Sequence, residues 1–157
     1  MATLHLMVGL PGSGKTTEAR RLEQTLPALR LTTDEWHLRL FGNDFKNDGD
    51  DHLHNIRHSE IEAIMWETAR SVLLLGCDVI LDFGCWAKVE REDFRRKAAK
   101  IGADFKIHFM DCSFEFLWER LEKRNQMVGT EPVFRISKEN LEAWYRQFEP
   151  PSEEELS

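Results

Sequence analysis

Gly9-Leu10-Pro11-Gly12-Ser13-Gly14-Lys15-Thr16 is a complete G-x-x-x-x-G-K-T element, and its flanks match its letters. Thr3-Leu4-His5-Leu6-Met7-Val8 before it has the composition of a short buried strand, and Thr17 to Leu26 after it predicts a helix. Strand, glycine-rich turn and helix form the context in which this element cradles phosphates. The glycines let the backbone curl so that several N–H groups face one anion. The helix N-terminus adds a partial positive charge and Lys15 a full one. The Thr16 hydroxyl is placed to reach a Mg²⁺ bridging nucleotide phosphates. Residues Gly9, Leu10, Pro11, Gly12, Ser13, Gly14, Lys15, Thr16 and Thr17 are therefore expected to hold a nucleoside triphosphate.

Outward from this loop, 157 residues make one domain, expected over 1–150, with an acidic, frayed tail over 151–157. A chain of this size buries roughly two-thirds of its unfolded surface and so can build a full core. No apolar run is long enough to span a bilayer, and no basic segment precedes an apolar signal core. The three cysteines, Cys77, Cys85 and Cys112, are odd in number and lack metal-ligand spacing, which fits reduced thiols in the cytoplasm. A net charge of −7 disfavours a non-specific nucleic-acid binder while allowing a local basic cleft. Nothing in the chain indicates an oligomeric state.

The rest alternates strands with helices. Ala28 to Thr32 predicts a second strand and Glu35 to Phe41 a helix. A loop runs from Gly42 to Asp51. Ser59 to Leu75 has helical periodicity through Ile61, Ile64, Met65, Thr68, Val72 and Leu75, with Gly76 closing it. Cys77 to Leu81 predicts a third strand ending at Asp82, and Val89 to Ile101 a helix. Phe105, Ile107 and Phe109 mark a fourth strand. Ser113 and Ser137 are placed to cap two further helices, the second stopped by Pro150 and Pro151. This alternation implies a parallel sheet covered on both faces, with ligands at the carboxyl ends of its strands. The phosphate loop, Asp34, Asp82 and Asp111 each follow a strand and are expected at that edge.

The phosphate loop, Thr33-Asp34, the segment Val79-Ile80-Leu81-Asp82-Phe83-Gly84-Cys85-Trp86 and the pair Arg120-x-x-x-Arg124 together resemble small P-loop kinases. The resemblance is to the AAA-33 type, with zeta-toxin-like kinases, chloramphenicol phosphotransferase and polynucleotide kinase as more distant kin, and it covers Thr3 to Glu149. It implies a three-layer α/β P-loop NTPase fold with four or five parallel strands ordered 2-3-1-4-5. It also implies ATP and Mg²⁺ as cofactors and a small-molecule hydroxyl as phosphoryl acceptor. Only about ten residues between Arg124 and Phe134 are left for a lid.

The same resemblance makes Asp34 the general base, although Asp is also a common helix N-cap. Asp82 is open to three roles: holding Mg²⁺ through water, orienting a substrate hydroxyl, or closing a strand-end turn. Arg120 and Arg124 share a helix face. In the related kinases the first stacks near the base and the second contacts phosphate; otherwise they would be a solvated face paired with Glu119 or Glu122. Lys15, Asp34 and Arg124 are thus the expected catalytic groups. Trp86 is expected as a wall beside the substrate. His52, His54 and His58 are read as lacking the spacing of a zinc helix, where histidines at i and i+4 are wanted, and are taken as scattered polar positions. The four aspartates between Asp44 and Asp51 would suit a cationic acceptor, although most charge runs are merely solvated.

Two classes of function compete with the kinase. A switch or ATPase would use water as acceptor, but a guanine-reading N-K-x-D segment is missing, and Val79 to Phe83 ends in one acidic residue where motor ATPases carry two. A polynucleotide 5′-kinase is disfavoured by the acidic balance.

Overall fold

The computed structural model describes residues 1–46, 51–127 and 134–157. Its elements, in chain order, are β1 (Thr3–Val8), α1 (Lys15–Thr25), β2 (Ala28–Thr32), α2 (Thr33–Phe41), α3 (His52–Leu74), β3 (Asp78–Gly84), α4 (Lys88–Lys100), β4 (Asp104–Phe109), α5 (Phe114–Asn125), α6 (Lys138–Gln147) and the short turn α7 (Glu153–Leu156). The four strands are all parallel and ordered β2-β3-β1-β4. No fifth strand occurs among the described residues, so the sheet has the smaller of the two expected sizes.

The central strand β1 is apolar almost throughout because both its faces are covered. On one face Leu4, Leu6 and Val8 meet Val79 and Leu81 of β3 and the buried side of α3. On the other, Met7 and Ile80 pack against Ala19 and Leu22 of α1. A third cluster, built on Leu117, Leu121, Ile136 and Leu141, joins α5 to α6 beside the phosphate loop. Helices on both faces of a parallel sheet make a three-layer α/β domain.

Two local expectations are corrected. In α3 the buried stripe is Ile61, Met65, Ala69 and Leu73, whereas Ile64 and Leu75 are exposed. The helix also starts seven residues earlier than the apolar pattern indicated, because its first two turns pack through histidines and not aliphatic side chains.

The acidic tail is not frayed. Ser152 and Glu155 form a capping box, each side chain bonding the other's backbone. Glu155 is buried against Arg91, itself 1% exposed, with Arg91 Nε donating to Glu155 Oε1 at 2.8 Å. Arg91 Nη1 also donates to the carbonyls of Cys85 and Trp86, both at 3.0 Å. The tail thereby fixes the turn after β3. Removing one partner of a buried pair strands the other charge, which costs about 3 kcal/mol or more. Glu155→Ala should therefore lower the melting temperature by about 10 °C in calorimetry. An unchanged melting temperature would show that this pair does not hold the tail.

Candidate active site

The loop between β1 and α1 is shaped by two glycines in the left-handed region, Gly12 at φ 85° and Gly14 at φ 92°. Gly14 occupies the N-cap of α1, so the helix axis starts at Lys15 and Thr16. A Cβ on Gly14 would come within 3.2 Å of Arg120 Nη1, and one on Gly9 within 2.6 Å of Ser13 Oγ. Only glycine permits this closeness at these positions. Leu10 turns its side chain into the α5–α6 core, and its carbonyl accepts from Ser13 N at 3.1 Å. Ser13 is buried, and its Oγ lacks a hydrogen-bond partner among the described residues.

Asp82 lies inside β3 and does not end it, so the expectation of a strand-end turn is corrected. Its Oδ2 accepts from Thr16 Oγ1 at 2.6 Å and from Thr32 Oγ1 at 3.1 Å. Its Oδ1 is buried and unpartnered among the described residues. A carboxylate with one unpartnered buried oxygen beside a phosphate-loop hydroxyl is a donor set that suits Mg²⁺, a hard cation taking oxygen ligands. Asp82 lines neither of the clefts described next.

Two clefts meet at the carboxyl edge of the sheet. The first, about 460 Å³, is lined by Gly12, Gly14, Thr16, Thr17, Thr32 and Glu35 together with Arg20, Arg120, Lys123 and Arg124. It collects cationic side chains on a protein whose net charge is −7. The second, about 270 Å³, is walled by Phe83, Trp86, Phe134 and Trp144, with His54, Asn55 and His58 as polar contacts. Lys15 and Asp34 line both. They stand at the junction.

Asp34 is the second residue of α2, whose N-cap is Thr32, so it is not the cap. Its carboxylate is about half exposed, with His58 Nε2 at 3.9 Å. The chain passes from β2 into α2 without a loop, which holds this residue close to Thr32 and hence to Asp82.

Arg120 and Arg124 both face the first cleft from α5. Neither forms an ion pair with Glu119 or Glu122; Glu119 instead meets Lys123 at 3.6 Å. Arg120 lies over the Phe116 ring at 5.5 Å. The Nε of Arg124 is buried and has no partner among the described residues. Burial lowers the Arg124 pKa, with the Asp34 charge opposing the shift and Arg120 adding to it. A half-desolvated guanidinium without a carboxylate partner is prepared to meet an anion.

Trp86 stands in the second cleft, donating its indole N–H to the Gly9 carbonyl at 3.3 Å and tilted against Trp144 at 5.4 Å. Gly84, at φ 97°, leaves room there for Trp86 and the Lys15 stem. Asp111 does follow β4 at the expected edge, but on the far side of β1, where it lines a separate pocket of about 140 Å³ with Cys112. Asp44 is no free anion for a cationic acceptor, because His37, His54 and Arg57 all bond to it. Asp48 and Asp50 lie outside the described residues, as does much of the short lid segment, residues 128–133. The aromatic walls Phe83, Phe134 and Trp144, drawn from separate segments, carried no sequence signal of a shared cleft.

The histidine expectation is also corrected. His54 and His58 are in fact four apart on α3, on one face of the helix, and they converge with His37 of α2. His52 is exposed.

Among solved structures, the Pnkp1/Rnl/Hen1 RNA repair complex contains a chain matching with a TM-score of 0.71 and 23% identity, over 93% of this chain and 43% of that one. This chain thus spans less than half the length of that neighbour. Chaetomium thermophilum Kti12 in complex with ADP-AlF3 matches with a TM-score of 0.69 and 18% identity, over 95% and 81%. A gluconokinase from Sinorhizobium meliloti 1021 matches with a TM-score of 0.61 and 17% identity, over 98% and 77%. These likenesses show the fold alone, that of a P-loop protein. No curated protein matches the chain in sequence. No helix among the described residues is long and apolar enough to cross a membrane. A family profile described as an AAA domain, AAA_33, matches residues 4–151, and the chain belongs to that family.

Proposed function

We propose that this protein transfers the γ-phosphoryl group of ATP to a hydroxyl of a small molecule. The observation that carries this reading is the pair of adjoining clefts sharing Lys15 and Asp34. A nucleotide in the basic cleft would point its terminal phosphate at that junction, and an acceptor in the aromatic cleft would meet it there. Phosphoryl transfer needs two oxygens in line with one phosphorus, with charge stabilisation around it. Asp34 takes the acceptor's proton as the new O–P bond forms and the bond to ADP breaks. Lys15, Arg120 and Arg124 supply positive charge to the phosphates. Thr16 and Asp82 would hold Mg²⁺, which when bound neutralises phosphate charge.

The second cleft describes its acceptor. Phe83, Trp86, Phe134 and Trp144 suit a ring or other apolar face, and His54, Asn55 and His58 suit its polar substituents. The gluconokinase neighbour is consistent with a small hydroxyl compound, and the RNA repair neighbour makes a 5′-hydroxyl nucleic acid the competitor to test.

The experiment follows the label from γ-labelled ATP into a pool of small hydroxyl compounds, into a 5′-hydroxyl oligonucleotide, or into free phosphate. Transfer to a small compound, with Lys15→Ala binding ATP at least about tenfold more weakly, supports the kinase. Label reaching only the oligonucleotide or only water would replace it with the nucleic-acid or ATPase reading. Wild-type ATP affinity in Lys15→Ala, measured calorimetrically, would contradict the nucleotide assignment itself.

A further inference from the structure

His37, His54 and His58 gather where α2 crosses the start of α3, and each can offer one ring nitrogen so that all three lie within 4.8 Å of one another. His37 is fully buried, its ring stacked on His54 at 4.3 Å and tilted to His58 at 5.3 Å. Three imidazoles so packed, around a single carboxylate, are more than core packing requires.

The hydrogen bonds assign the protons. Asp44 Oδ1 lies 2.7 Å from His37 Nε2 and 2.6 Å from His54 Nδ1. An ionised carboxylate only accepts, so both ring protons point at Asp44. His37 Nδ1 and His54 Nε2 thereby carry lone pairs, that of His37 accepting a hydrogen bond from His58 Nδ1. The third ring is already at ligand spacing, with His58 Nδ1 3.2 Å from His37 Nδ1. A tetrahedral zinc shell with bonds of about 2.0–2.1 Å puts neighbouring nitrogens about 3.3 Å apart.

The surroundings complete the pattern. A ligating histidine commonly donates its other N–H to a carboxylate, which fixes its tautomer. His37 and His54 do so to Asp44. When His58 binds through Nδ1 its proton sits on Nε2, which faces Asp34 at 3.9 Å and Glu62 at 3.8 Å. Phe45 and Phe134 pack against the His54 ring at 5.1 and 5.0 Å, keeping bulk water off that side. Because His54 and His58 also line the aromatic cleft, a fourth ligand position is reachable from it.

We infer that His37, His54 and His58 form a binding site for a divalent transition metal of the zinc class, with Asp44 orienting two of the three ligands. Three neutral imidazoles select such an ion over Mg²⁺ or Ca²⁺, which want oxygen. The site is separate from the Thr16–Asp82 pair and does not depend on the reaction proposed above.

The test uses untagged protein stripped with a chelator and titrated with Co²⁺. One equivalent should bind with the intense visible absorption of tetrahedral, nitrogen-ligated cobalt, and Zn²⁺ should abolish that absorption by displacing it. His54→Ala and His58→Ala should each weaken binding by at least about tenfold, and Asp44→Asn by about 10–100-fold, the effect of losing an outer-shell carboxylate. Circular dichroism reports whether each variant is folded, and the wild-type titration decides alone if none is. The proposal is overturned if folded wild-type protein takes up no cobalt, shows only the faint spectrum of oxygen-ligated ions, or keeps its affinity when either histidine is replaced.

Discussion

Arg124→Ala is expected to slow phosphoryl transfer by about 10³-fold or more while leaving ATP affinity within about tenfold of wild type. The asymmetry follows from where the guanidinium is held. Its Nε is buried without a partner among the described residues, and burial already disfavours its charge, so the guanidinium is poorly satisfied before the reaction begins. A charge of this kind gains most when negative charge spreads over the transferring phosphoryl, a situation present only near the transition state. Ground-state phosphates are already met by the loop amides, the α1 N-terminus and Lys15. Arg124→Lys keeps the charge but lacks the planar fork, so it should recover only a small part of the rate. Single-turnover transfer measured beside equilibrium ATP binding separates the two effects. Equal losses in rate and affinity would make Arg124 a simple nucleotide clamp, and an unaffected rate would remove it from the reaction.

The parts of this molecule that were legible in the chain are those fixed by neighbours in sequence. The phosphate loop, its flanking strand and helix, and the serine caps of α5 and α6 are set within a few residues, and Ser113 and Ser137 do accept from Phe116 N and Asn140 N. The strand order depends on longer contacts, and it came from the resemblance and not from periodicity. What escaped was tertiary. His37 lies 17 positions before His54, so no local spacing could join it to the cluster, although the four-residue step from His54 to His58 was present in the sequence and pointed to a shared face. Ser152-x-x-Glu155 was likewise a readable capping box. Its depth was not readable, because the burial of Glu155 depends on Arg91, 64 positions away. Asp111 lies at the expected edge, yet away from the two adjoining clefts, since β4 flanks β1 on the side away from β2 and β3.

Asp34→Asn is expected to reduce transfer by about 10²–10⁴-fold, the range for a positioned acid or base, with ATP affinity and melting temperature nearly unchanged. Phosphoryl transfer asks that an acceptor oxygen be held in line and relieved of its proton. Asp34 faces both clefts, is half exposed and has no hydrogen bond among the described residues that would tie up its carboxylate, with His58 Nε2 at 3.9 Å. Asparagine keeps the shape and can still orient a hydroxyl, so the loss measures the charge and the proton acceptor it represents. Stability should be insensitive because Thr32, not Asp34, is the N-cap of α2, which leaves only a favourable charge near the helix N-terminus to lose, about 0.3–1 kcal/mol. The proposed role gives Asp82 to the metal, since its Oδ2 accepts from Thr16 and Thr32 and it lines neither cleft. The measurement is steady-state transfer to the acceptor found by the labelling experiment, with a thermal melt on the same sample. A variant that transfers at the wild-type rate would show that the acceptor hydroxyl needs no carboxylate at this position. One that loses ATP affinity in proportion to rate would make Asp34 part of the nucleotide site. The proposed role requires the rate to fall alone.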